Sequence, residues 1–471
     1  MKNNMLKKLV SVSLSVLMIT AAAGTGVSAA SAGNAPTSAA SVYRGFVTDM
    51  NSDGTIKITG YSGSAKTVRI PSMINGRQVT VIGRSAFEGL TNIDSVTLPN
   101  TITIIEDHAF KGCTSLKSIL LPYKVSSVNG SAFMGCTSLQ GIYADSNCKS
   151  FTSVKGVLFT KDTKTLVAYP AGRRGAYTVP SGVTLIGDHA FSENAALTSV
   201  NLPKGLKRIG FNSFDYCTEL TRVRLNSDLQ EIGTGGFNGC WKLSAITLPD
   251  SLTKIERNAF SGCRSLKAVT IPKNIKKLDF SLFEGCTSLR YVGLPIGLKE
   301  VYSNAFERCT SLVSVNLPST VKHVYSLAFT DCKNLRNLTV RNKDAFLDPI
   351  AFGGCDALTI YGKKGSTAEA ISKKLGIRFL SITAPGQSIS DVTAENGRIT
   401  VKARAVDGKA PYSYAVYYRS ADSERLIPAQ KFSSNKLIEI DVPKSGNYVV
   451  RVMVKDGFSR ITHTDYTVKV D

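Results

Sequence analysis

A phenylalanine returns every 23 residues through most of this chain. Phe87, Phe110 and Phe133 set the interval, and Phe191, Phe214, Phe237, Phe260, Phe283, Phe306, Phe329 and Phe352 continue it without a break. The 58 residues from Phe133 to Phe191 equal two periods plus 12, so one insertion interrupts a single register. A period of this length is the mark of stacked coils, each laid on the one before.

Other apolar rows keep step with the phenylalanines. Six residues after them come Leu116, Leu139, Leu197, Leu220, Leu243, Leu266, Leu289, Leu312 and Leu335. Pairs such as Val200/Leu202, Ile246/Leu248, Val269/Ile271 and Val315/Leu317 follow, while Ile105, Ile186, Ile209, Ile232 and Ile255 precede the phenylalanines by five. A unit thus has about eight inward positions, too few to bury a core alone, and stacked units share one. Each Leu-x-x-Val-x-Leu-Pro stretch predicts a short alternating strand, ended by a proline that cannot donate a ladder hydrogen bond.

The unit Asn258-Ala259-Phe260-Ser261-Gly262-Cys263 through Val269-Thr270-Ile271-Pro272 resembles the bacterial leucine-rich repeats of the BspA-like type. Ile56 to Tyr61 and Val68 to Pro71 look like that family's N-terminal cap, and Ser153 to Pro170 like a β-hairpin found within such arrays. Ile360-Tyr361-Gly362 and Ser366 to Leu375 look like its closing strand and capping helix. Leu90 and Asn194 depart from the corner cysteine, and Asp344 breaks one apolar row. The resemblance implies a non-catalytic scaffold that attaches to host matrix proteins or other cells.

After Pro385 the period gives way to alternation, as in Tyr412/Tyr414/Val416/Tyr418 and Tyr448/Val450/Val452/Val454, which predicts a small β-sandwich. Its Gly446-Asn447-Tyr448 to Gly457 stretch resembles triple-tyrosine-motif or immunoglobulin-like modules. The expected fold is therefore mainly β: a leucine-rich-repeat solenoid of 23-residue units with N- and C-terminal caps, followed by a small β-sandwich domain. The expected boundaries are a signal peptide at 1–29, a linker at 30–41, an N-terminal cap at 42–82 and the solenoid at 83–380. The hairpin insertion is placed near 148–178, the capping helix near 366–375 and the sandwich at 386–471.

Lys2, Lys7 and Lys8 ahead of the apolar run Leu9 to Ala23, with Val27-Ser28-Ala29 after it, predict export; a retained anchor is the alternative. No later stretch is long and apolar enough for a membrane span, so no transmembrane segment is expected after signal removal. The expected location is extracellular, secreted or loosely held at the cell surface. The net charge of +22, most of it on the repeats, favours anionic partners in general and a monomer in solution.

Nine of ten cysteines share one repeat position, from Cys113 to Cys355, and only Cys148 lies apart. Disulfides are one reading of an exported chain, but an odd unbroken row of seven cannot pair fully, which favours buried thiols. The cysteines lack Cys-x-x-Cys spacing, and His108, His189, His323 and His463 assemble no nucleophile–base pair. No enzyme, cofactor or metal is expected. Asp49 to Gly54 imitates half a calcium loop, but Gly60 stands where a closing carboxylate belongs, so a hairpin turn is expected.

Recognition is expected on the surface rows. Arg222, Arg224, Thr247, Thr270, Tyr291, Asn316, Asn337 and Thr339 form an outward strand ribbon suited to a protein or glycan macromolecule. Lys207, Lys276, Lys299 and Lys322, seven before the phenylalanines, form a basic edge. Strand propensity and solvation alone also account for such rows. Neither has the aromatic spacing of a nucleic-acid platform, so no specific nucleic acid is expected. The leading expectation is an adhesin-like binder of host matrix or similar macromolecules; the alternative is an envelope-associated structural protein held by charge to anionic wall polymers.

Overall fold

Why the chain needs 23 residues per unit is visible in its backbone pairing. In the computed structural model, which describes residues 41–382, 387–388, 390–406, 411–456 and 461–471, a typical coil carries two strand segments and one tight corner. The expected signal peptide and nearly all of the expected linker lie outside the described residues.

Two-residue strands form one ladder: Ile186, Ile209, Ile232 and Ile255 are direct parallel partners in succession. The sequence reading treated these isoleucines as a core row and missed their strands, since two residues cannot show alternation. The longer strands form the other face, with Ser199 opposite Arg222 and Val200 opposite Val223. In both faces the paired residues sit one period apart, so a side chain always meets its own counterpart.

The corner makes the third set of bonds. Phe260 N–H donates to Leu282 O at 3.0 Å, and Phe283 N–H to Ala305 O at 2.8 Å. The phenylalanine rings consequently stack, with centroids 4.7–6.1 Å apart and planes within 13° inside each uninterrupted run. Tyr61 and Phe46 cover the first ring, Tyr61 lying 5.7 Å from Phe87. Two residues past Phe260 the chain turns at Gly262 with φ +68°, a left-handed conformation that costs glycine least. About 14 such turns make a mainly β solenoid.

The insertion is more than a hairpin. Phe151–Val154, Val157–Thr160 and Thr165–Ala168 form an antiparallel three-strand meander. Its last strand then runs parallel to Leu185–Ile186, and Tyr169 N–H donates to Ala190 O at 2.7 Å. Tyr169 lies 4.9 Å from the Phe191 ring, so the inserted residues supply an aromatic rung of their own. Buried Asn194 bonds Pro170 O at 3.3 Å, which explains an amide where other units have a thiol.

Asn51 to Thr55 is a hairpin turn joining Phe46–Met50 to Ile56–Tyr61, with Thr55 N–H donating to the Asp53 carboxylate. A helix, Thr367–Leu375, follows the last repeat. The described residues divide into two compact units, 41–360 with 370–378, and 361–369 with those from 379 to 471. The second unit contains antiparallel sheets of three and four strands around Val401, Tyr414, Ile440, Val450 and Val452.

Candidate recognition surface

The longer-strand face is broken where the sequence predicts continuity. Arg222–Arg224 ends one parallel run and Ala268–Thr270 begins the next, and residues 244–249 between them form no strand. Thr247 was expected on a strand; it sits in this break instead. A second break follows Tyr291–Gly293, before Ser314–Leu317. The eight expected ribbon residues are therefore divided among separate pieces. Ser199 and Asn201 pair with Arg222 and Arg224, whereas Asn316 pairs with Thr339 and Ser314 with Asn337.

Three of the eight come together. Thr247, Thr270 and Tyr291 line an open groove of about 650 Å³, bounded by Leu248, Pro272, Pro295 and Ile296. Tyr291 is 58% exposed and Ile296 is 82% exposed, so a large apolar rim meets solvent beside two hydroxyls. Gly293 makes the space: a Cβ there would stand 3.2 Å from Thr270 and 3.3 Å from the Tyr291 hydroxyl. Sequence reasoning missed Ile296 and Gly293, because Ile296 follows the strand-ending proline and reads as a turn residue.

Three of the four expected basic-edge lysines are neighbours in one ladder. Lys299 N–H donates to Lys276 O and Lys322 N–H to Lys299 O, both at 2.7 Å, so these three occupy successive rungs. Lys207 is separate, since its neighbours in the ladder are Thr184 and Gln230.

The cysteine row faces inward. All ten cysteines are unpaired and buried. Each thiol of the repeat row donates to the phenylalanine carbonyl 26 residues earlier, at 3.0–3.3 Å. Burial pushes the Cys113, Cys263 and Cys355 thiols up to about 12. Thiols so placed act as small core side chains that satisfy a carbonyl, with no thiolate to attack anything. His108 and His189 hold a left-handed turn position, at φ 57° and 58°, and burial lowers the His189 pKa.

The BspA type leucine-rich repeat profile matches in six copies, over residues 61–161, 176–290 and 230–359, more than half of the chain. The chain belongs to this family. Among solved structures, a leucine-rich cell surface protein from Faecalibacterium prausnitzii is 23% identical over 72% of this chain and 97% of its own, with a TM-score of 0.44. A leucine-rich repeat protein from Bacteroides ovatus is 23% identical over 72% and 99%, with a TM-score of 0.40. The pneumococcal vaccine antigen PcpA is 18% identical over 72% and 97%, with a TM-score of 0.40. No curated protein sequence matches the chain. The gap between matched BspA-type segments falls in the inserted meander, and the C-terminal sheet unit lies beyond the last matched residue.

Proposed function

We propose that this BspA-type chain is an exported, non-catalytic recognition protein, adhesin-like, whose solenoid binds a protein or glycan macromolecule. The observation that carries the reading is the groove at the strand break. Tyr291, Thr247, Thr270 and Ile296 give it the mix of aromatic area, hydroxyls and apolar rim that suits contact with another macromolecule. The inert thiol row and the turn-bound histidines leave the repeats to structure. The N-terminal basic and apolar segments support export, and the C-terminal sheet unit serves as a second contact or a tether.

The test is titration of the mature chain against immobilised matrix proteins, intact cells and wall extracts. Saturable binding that falls at least roughly tenfold in Tyr291→Ala, with the melting curve unchanged, is the expected result. Binding to none of these surfaces would reject the proposal.

A further inference from the structure

A second pattern occupies the two-residue ladder, on the last rungs of the repeat. Phe280, Tyr302 and Tyr325 lie one or two residues past its strands and Phe346 lies on one, with Phe280 45% and Phe346 50% exposed. The Phe280 and Tyr302 ring centroids are 4.9 Å apart, and so are those of Tyr302 and Tyr325. His323 continues the row, 5.7 Å from Tyr325 and 6.2 Å from Phe346. The rungs before carry Gly187, Gly210, Gly233 and Glu256 where these have Tyr302 and Tyr325, so the aromatic stripe is confined to one stretch.

Beside it runs the lysine column. Lys276, Lys299 and Lys322 are exposed, and none has an ion-pair partner among the described residues. Of the carboxylates on this face, Asp279 pairs with Lys277 at 2.8 Å, and Glu300 lies 3.9 Å from His323 Nδ1, a pair only when that imidazole is protonated. Lys277 in turn lies 5.3 Å from the Tyr302 ring centre. What remains is a row of three cations outside any ion pair, parallel to a row of rings.

We propose that this stripe binds a linear acidic polysaccharide laid along the solenoid axis. The inference rests on the recognition role above and assigns it a second, separate surface. Both rows advance by one rung at a time, so a ligand that meets both along their length must itself repeat along a line. A globular protein surface, unlike a repeat array, has no such translation. Acidic groups at regular intervals answer the lysines, while sugar hydroxyls answer the tyrosine hydroxyls and set their oxygens against the positive aromatic edges. A nucleic acid is the less suited polyanion. Its bases need open ring faces, and the Tyr302 and Tyr325 rings stack on each other, 19° apart in plane.

The experiment uses the mature chain with heparin oligosaccharide as probe, single-stranded DNA of equal charge and a neutral cello-oligosaccharide beside it. Heparin binds roughly tenfold more tightly than the DNA, and the neutral sugar more weakly than either. The triple variant Lys276→Ser/Lys299→Ser/Lys322→Ser and the double variant Tyr302→Ser/Tyr325→Ser each weaken heparin binding by roughly tenfold. Lys207→Ser, off the column, changes it less than about twofold. DNA binding equal to heparin, an unaffected tyrosine variant, or a Lys207→Ser loss as large as the column's would overturn the stripe. Tyr291→Ala separates the two surfaces: it lowers matrix binding and leaves heparin binding intact. Matrix binding without heparin binding sinks this inference alone, and the reverse sinks the groove alone.

Discussion

The solenoid and the C-terminal unit both bury apolar side chains between strands, but they draw the partners from different places in the chain. In the solenoid, Val200 faces Val223, one period on, and every later coil repeats the arrangement. In the C-terminal unit, Ile399 faces Ile440 and Tyr414 faces Val454, across intervening strands that belong to other pairs. The first kind of core grows by nearest neighbours, and its stability is close to a sum over rungs. The second closes only when distant strands meet, so its parts form together. Damage should therefore weaken one unit without the other, and each substitution below is a way to break that separation.

The largest effect is expected from Phe237→Ala. Its ring is wholly buried, with Phe214 and Phe260 at 5.1 and 5.5 Å on its two sides. Truncation removes both stacks and leaves a cavity worth about 3–5 kcal/mol. In a denaturant titration the solenoid transition moves to lower concentration while the C-terminal transition stays. If both moved together, the two units would not be independent.

Next is a pH response that differs in sign between the units. Burial pushes the Asp215 carboxyl up to about 6, against the hydrogen bond it accepts from Asn238 at 2.7 Å. The folded chain holds that proton more tightly than the unfolded chain. Its contribution, roughly 2–3 kcal/mol, is present below about pH 4 and is lost as pH rises through 6. In the C-terminal unit the Arg451 guanidinium, bonded twice to Asp465 at 2.8 Å, holds that carboxyl below its ordinary value. That contribution is present at neutral pH and disappears on acidification. Melting the solenoid between pH 4 and 7 and the C-terminal unit between pH 5 and 2 should show opposite slopes from these two groups, and Asp215→Asn should flatten the solenoid's. An unchanged slope in that variant would remove Asp215 as its source.

A smaller loss, about 1 kcal/mol, is expected for Cys263→Ala, which deletes the thiol bond to Phe237 O at 3.3 Å. Native thiols at pH 8 should resist alkylation, since burial holds Cys263 near 12, and should react only as the solenoid unfolds. Rapid labelling of the folded chain would contradict the inward row. The smallest change belongs to Arg451→Met, an exposed cross-strand pair worth less than about 1 kcal/mol, confined to the C-terminal transition.

Much of the solenoid is legible because its rows share one register counted from the phenylalanines. What escapes that count is instructive. Ala245-Ile246-Thr247 and Ala268-Val269-Thr270 are nearly the same tripeptide, yet only the second forms a strand, so no residue type marks where the groove opens. The aromatic stripe escapes for another reason. Phe280, Tyr302 and Phe346 precede their phenylalanines by three, four and six residues, and only the path of the chain around the short strands and the reach of the side chains align them. An insertion was legible from its extra length and was expected as a hairpin; its third strand, and that Tyr169 would join the ring stack, depended on where the inserted chain landed.

The thiol-to-carbonyl bond spans 26 residues, three more than the repeat, and this offset has a bearing on how such arrays change length. Excising one whole period brings the next thiol beneath the previous carbonyl, and duplicating one does the same. No donor is orphaned and no ring loses its neighbour at the junction. The array can thus lengthen or shorten by whole coils at little energetic penalty, and any ligand surface running along it is extended or trimmed in steps of a single rung.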